Sequence, residues 1–204
     1  QRQMCIRDSA LSGIGKDGAR PGSVTRQERI FVDGPEHARF KKECRRYIVI
    51  DSGATTNLGG EDTTDDNQED MMENGIPPED RFSVDNEQKK SFRFGDDAIE
   101  ESSGVLSLET QLLGKEVTYQ THTVNGGAPW LGSIHFLERC NATINFKTGL
   151  AYFPELNAEQ LVYLKKMSSG HLGLALNDDG SAHQKVPLGD DVVTLLAKLS
   201  EKQG

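Results

Sequence analysis

The chain has 204 residues, 35% of them hydrophobic and 27% charged, with a formal net charge of −9 and a pI near 5.1. The length suits one domain of ordinary size with extra segments, and the apolar share is lean enough to leave part of the chain unpacked. The acidic balance argues against direct contact with nucleic acid, and no apolar run approaches the ~18 residues that cross a bilayer.

Met4-Cys5-Ile6-Arg7-Asp8-Ser9 is what one frame of a common transposase sequencing adapter encodes, so residues 1–9 are set aside as an artefact. Residues 10–29 hold Gly13, Gly15, Gly18, Pro21 and Gly22 among polar residues, and the whole of 1–44 reads as a flexible, disordered linker. Arg39, Lys41, Lys42, Arg45 and Arg46 make residues 36–46 basic, a solvated face or a processing linker. The three cysteines, Cys5, Cys44 and Cys140, lie far apart with no C-x-x-C. They make neither a zinc site nor a disulfide framework, and no apolar stretch follows the first residues, which predicts a reducing, cytoplasmic setting.

Tyr47-Ile48-Val49-Ile50 is β-branched and stops at Gly53, which predicts a buried strand ending in a sharp turn. Residues 61–80 carry nine carboxylates with Gly75 and Pro77-Pro78, which predicts a disordered acidic insertion. Glu61 to Asp66 lacks the alternate spacing and central Gly of a calcium loop. Phe92 to Gly95, Val105 to Leu108 and Val117 to Val124 alternate like strands. Ser133 is placed to cap a short helix carrying Ile134, Phe136, Leu137 and Cys140. Residues 142–146 and 150–153 read as strands around a Lys147-Thr148-Gly149 turn. Residues 155–204 form an extension: a hairpin around Ser168-Ser169-Gly170, then an amphipathic helix through Val192, Val193, Leu195, Leu196 and Leu199. Many short strands with one short helix predict an all-β, barrel-like domain over residues 45–154.

Two segments carry the chemistry. Val49-Ile50-Asp51-Ser52-Gly53-Ala54 delivers one carboxylate from a strand into a tight turn, and Trp130-Leu131-Gly132 then leads into the predicted helix. Together they resemble the retropepsin family of aspartic proteases, whose pattern is two apolar residues, Asp-Ser/Thr-Gly-Ala, a flap hairpin, then two apolar residues and Gly before a helix. The resemblance covers about half the chain. It implies a closed β-barrel half-lobe in which Asp51 is catalytic, Ser52, Gly53 and Ala54 form the active-site turn, and Trp130, Leu131 and Gly132 form the second motif. Phe94, Gly95, Gly104 and Val105 bound the implied flap. Two features depart from the family pattern: the insertion ahead of the flap, and Ile134, where many members carry Asn or Asp. The motifs further resemble protease segments of copia-type retrotransposon polyproteins.

The resemblance implies a homodimer without metal or cofactor. One Asp cannot serve as acid and base at once, whereas two carboxylates sharing a proton can. With one D-S-G-A per chain, the second Asp comes from a second copy. Asp33-Gly34 and Asp178-Asp179-Gly180 lack the apolar strand and small residue that flank Asp51. The implied substrate is a polypeptide, the chain's own polyprotein, and the implied setting is the cytoplasm, including a virus-like particle; neither nucleic acid nor membrane is a partner. The rival is a catalytically silent module of the same fold, used for dimerisation or protein binding. A serine hydrolase built on Ser52 with His122, His135 or His171 lacks G-x-S-x-G, and Gly126-Gly127 lacks the rest of a phosphate loop.

Overall fold

In chain order the elements are α1 (Pro35–Cys44), β1 (Tyr47–Ile50), β2 (Leu58–Gly60), α2 (Glu61–Glu73), a 3-10 turn (Pro78–Asp80), β3 (Phe82–Asp85), β4 (Ser91–Arg93) and β5 (Ile99–Glu101). There follow β6 (Gly104–Leu112), β7 (Lys115–Val124), β8 (Leu131–Gly132), α3 (Ile134–Arg139), β9 (Thr143–Ile144), β10 (Leu150–Phe153), β11 (Asn157–Tyr163), β12 (Lys165–Lys166), β13 (Leu172–Ala175) and β14 (Gln184–Pro187). The structure, a computed structural model, describes residues 35–94 and 97–189. The glycine-rich segment 10–29, Cys5, Gly95 and the predicted helix in the 190s lie outside the described residues.

The expectation of a closed all-β barrel with a single helix is overturned. Eight strands form one open sheet in the order β12-β13-β1-β8-β2-β7-β6-β3, so β12 and β3 are free edges instead of partners. Among the described residues three α-helices accompany it, which makes the fold mixed α/β. A separate four-stranded sheet runs β14-β11-β10-β9, and β4 pairs with β5 alone. The physical cause lies partly in the last third of the chain. β13 adds antiparallel to β1 (Tyr47↔Ala175), so one flank of β1 is filled by the C-terminal extension. That extension is part of the main sheet, and the hairpin around Ser168-Ser169-Gly170 is the β12–β13 pair.

β1 is hydrogen-bonded on both flanks, antiparallel to β13 and parallel to β8 (Val49↔Leu131, Ile50↔Gly132). Its period-2 alternation then divides its side chains between two cores. Ile48 and Ile50 enter the larger cluster with Leu108, Trp130, Phe136 and Leu174. Val49 enters a smaller one with Ala54, Leu58, Phe92 and Leu131. Ile48, Val49 and Ile50 therefore show no polar alternation because both of their faces are buried.

The acidic segment also departs from expectation. Residues 61–73 form α2, not a disordered loop, with Thr63, Thr64, Asn67 and Met71 buried on one face. Two arginines from the basic strip hold the opposite charges: Arg45 Nη2 lies 2.8 Å from Asp66 Oδ1, and Arg46 Nη2 2.6 Å from Asp70 Oδ1. Asn67 Nδ2 donates to the Arg45 carbonyl, and Trp130 Nε1 donates to Thr64 Oγ1 at 3.3 Å. Charge composition alone signals disorder when the partner charges sit far off in sequence; here they sit some twenty residues upstream and meet α2 only in the fold.

Candidate functional site

The site begins where β1 runs out. The Asp51 amide donates to the Gly132 carbonyl at 3.1 Å, one register step beyond the β1–β8 ladder. The chain then turns. The Gly53 amide donates to Asp51 Oδ1 at 2.9 Å, and the Ala54 amide to the Asp51 carbonyl at 3.2 Å. This Asp-turn fixes the carboxylate by local bonds, the usual work of Asp in a tight turn. Asp51 is half-buried, Ser52 and Gly53 are exposed, and Ala54 is fully buried in the smaller core.

Beneath the turn lies the Trp130-Leu131-Gly132 segment. Trp130 is 1% exposed and stacks on Tyr119 with centroids 5.9 Å apart, and the Tyr119 hydroxyl donates to the Leu131 carbonyl at 2.8 Å. Gly132 is required by close approach: a Cβ there would sit 2.9 Å from Ile48 Cγ2 and 3.1 Å from Phe136 Cδ1. Ser133 follows as the N-cap of α3, its hydroxyl accepting from the Phe136 amide at 3.3 Å. The Ile134 amide donates back to the Ala54 carbonyl at 2.8 Å. The two motifs, distant in sequence, are thus bonded to each other along their lengths.

The span read as a flap divides in two. Ser91–Arg93 and Ile99–Glu101 form a two-stranded hairpin, with the Phe94 amide donating to the Ala98 carbonyl at 2.9 Å. Gly104 and Val105 belong instead to β6 in the main sheet, buried. A Cβ at Gly104 would lie 2.5 Å from the Asp85 carbonyl oxygen, so this glycine serves the β3–β6 pairing and not a hinge. The hairpin is anchored by Phe92, 1% exposed, whose ring meets His122 edge-on at 5.4 Å.

A pocket of about 220 Å³ opens beside the turn, lined by Thr56, Asn57, Gln120, His122, Phe136 and Arg139 among others, and Asp51 is not part of its wall. Lys90 Nζ donates to Thr56 Oγ1 at 2.7 Å and lies 5.9 Å from the centre of the Phe92 ring. His122 Nδ1 pairs with Ser102 Oγ at 3.2 Å. That Ser–His pair was not legible in the sequence, and it does not make a hydrolase. Ser102 is 1% exposed and already accepts from the Lys90 amide at 2.9 Å. His135 bonds Glu138 and His171 bonds Ser169, so neither reaches Ser52 by these bonds. Burial pushes the Cys44 thiol up to about 12 and the Cys140 thiol up to about 11, which keeps both protonated and inert.

What the sequence reading missed is the lock under the turn. Asn57, 7% exposed, accepts from the Ser133 amide at 3.0 Å and from its hydroxyl at 2.8 Å, and donates to the Gln120 carbonyl at 2.8 Å. An Asn in a Thr-Thr-Asn-Leu stretch reads as an ordinary loop residue, and no local signal marks its partners.

No family model matches the chain, and no curated protein matches it. Among solved structures it is similar to the crystal structure of the retroviral protease-like domain of Ddi1 from Leishmania major, with 10% identity and a TM-score of 0.36. The match covers 67% of this chain and 90% of that one. It is a distant likeness to a retropepsin-like domain.

Proposed function

We propose that the chain is an aspartic endopeptidase that works as a homodimer, with Asp51 as the carboxylate each copy contributes. The observation that carries this reading is the Asp51 turn itself. A half-buried carboxylate sits on an open turn whose neighbours Ser52 and Gly53 are exposed, while Ala54 and Gly132 beneath it are packed solid. The chain's other Asp-x-Gly turn with a buried Asp, at Asp178, follows β13, which runs antiparallel to β1. It therefore lies past the opposite end of that strand pair, roughly 13 Å or more away for four residues of strand. A dyad needs carboxylates about 3 Å apart, so Asp178 is no partner, and a second copy is the natural source.

The chemistry follows from one shared proton. The ionised carboxylate takes a proton from water, which attacks the peptide carbonyl, and the protonated one donates to the carbonyl oxygen; the first then gives its proton to the leaving nitrogen as the C–N bond breaks, and the second takes one back from the gem-diol. The proposed substrate is a polypeptide, the polyprotein that would contain the domain. The test is cleavage of a polyprotein-derived peptide library by the purified chain and by Asp51→Asn. Cleavage by the first and none by the second supports the proposal. Equal cleavage by both, or none by the wild type at high concentration, sinks it and leaves the silent module.

A further inference from the structure

We propose that Asn57 is a positioning residue for Asp51, an inference that rests on the protease reading only in its kinetic arm. Asn57 is six residues beyond Asp51 and does not touch it by any bond described above. Its side chain instead joins three segments: the turn's own loop, the Trp-Leu-Gly-Ser segment at Ser133, and β7 at the Gln120 carbonyl. Its backbone carbonyl takes a fourth bond, from the His122 amide at 3.1 Å. All the bonding capacity of the side-chain amide but one donor is thus committed in a buried place.

The geometry explains why this bears on the carboxylate. Asp51 is held at the Gly132 carbonyl, and Ala54 at the Ile134 amide. Ser133 is the residue between those two anchor points, and Asn57 holds its amide and its hydroxyl together. The side chain at 134 is Ile, which has no polar group to supply such a bond. Without Asn57, the Ser133 amide loses its acceptor in a buried site. The segment must then shift to recover a partner, taking Gly132 and Ile134 with it. A displacement of about 1 Å in such a support is enough to cost a large factor in rate.

The experiment uses the full chain and two readouts. The Gly53 amide proton donates to the Asp51 carboxylate, so its NMR resonance reports where that carboxylate stands. Asn57→Ala should move this resonance and lower kcat about tenfold or more with KM within about twofold. Ser133→Ala, which keeps the amide bond to Asn57, should move both in the same direction by less, and it serves if Asn57→Ala does not fold. Thr110→Val is the control. It breaks a comparably buried link, Thr110 to Asn177 at 3.1 Å, on β6 beyond the turn, and should lose stability without either change. If the wild type cleaves nothing, the protease reading fails and the Gly53 resonance alone decides. A Gly53 resonance displaced no further by Asn57→Ala and Ser133→Ala than by Thr110→Val overturns the inference, as does a loss confined to KM.

Discussion

The chain contains two Asp-x-Gly turns, built alike and buried to different degrees. Asp51 and Asp178 each accept the amide of the residue two positions on, at 2.9 Å in both cases. Asp178 takes a second amide, from Ala182 at 2.8 Å, and is 3% exposed, with no partner for Oδ2 among the described residues. Its backbone also joins the β6–β7 hairpin, the Gly114 amide donating to its carbonyl at 2.9 Å. Asp51 has no second amide in the bonds described, and its turn stands open. The same three-residue pattern is a structural rivet where both faces are covered, and a candidate reactive group where one face is left to solvent. Burial, not the motif, separates the two.

The sharpest way to break the comparison is to neutralise the open turn. Asp51→Asn keeps the shape and removes the charge, so cleavage should fall by about three orders of magnitude or more while the unfolding midpoint holds. Activity should also fall faster than concentration on dilution, since each monomer would hold half a dyad. A variant that unfolds, or specific activity constant down to a monomer proven by sedimentation, would assign Asp51 a structural role like that of Asp178.

The converse change is the next largest. Asp178→Ala strips an acceptor from one buried and one part-buried amide and should cost about 1–3 kcal/mol in urea unfolding, with Asp178→Asn costing less because it keeps the accepting oxygen. A cost below about 0.5 kcal/mol for both would dissolve the distinction drawn here.

His183 adds a pH dependence to the Asp178 side. Its ring is 5% exposed; Nε2 accepts from the Ala175 amide at 3.0 Å, and Nδ1 donates to the Tyr163 carbonyl at 3.0 Å. Both bonds together require the neutral ring. Burial pushes its pKa below the ordinary histidine value, against the opposing pull of the Tyr163 carbonyl and Asp178. The unfolded chain therefore binds the proton more readily than the folded one. Stability from this residue is complete above about pH 6.5 and is lost as pH falls from there to the lower folded-state value. Chemical denaturation at pH 7.5 and 5.5 should show this loss in the wild type and a flatter response in His183→Gln, whose amide oxygen can still accept from Ala175. Asp178→Asn, which removes the anion acting on the ring, should deepen the loss. An identical pH response in all three would place the acid sensitivity elsewhere. The predicted loss falls in the mildly acidic range where a dyad holding one proton would work.

The smallest effect belongs to the neighbouring Asp179. Its carboxylate accepts the Ser181 amide at 2.9 Å at the exposed surface. Asp179→Ala should leave the melting temperature within about 2 °C of the wild type, because water replaces the lost bond. A larger shift would mean that exposure is a poor guide to which of these turns matters.

Much of the site's local structure was legible from residue order. The β-branched run ending at Asp51, the serine that caps α3 and the turn before β10 all follow from propensity and capping chemistry, which act over a few residues. The architecture was not. A closed barrel was expected, and the sheet is open, with β12 and β3 at its edges and β13, from the last third of the chain, on the flank of β1. A disordered acidic loop was expected, and α2 forms because Arg45 and Arg46 meet Asp66 and Asp70 across the fold. Asn57 and His183 look like loop and surface residues in the sequence, and each is buried with its polar atoms matched to the backbone of other segments. The sequence alone determined where strands, turns and caps could form and which carboxylate stands at a strand end. Only the tertiary structure decided which of those groups are sealed and which are open, because burial and hydrogen-bond pairing depend on neighbours that the chain order does not reveal.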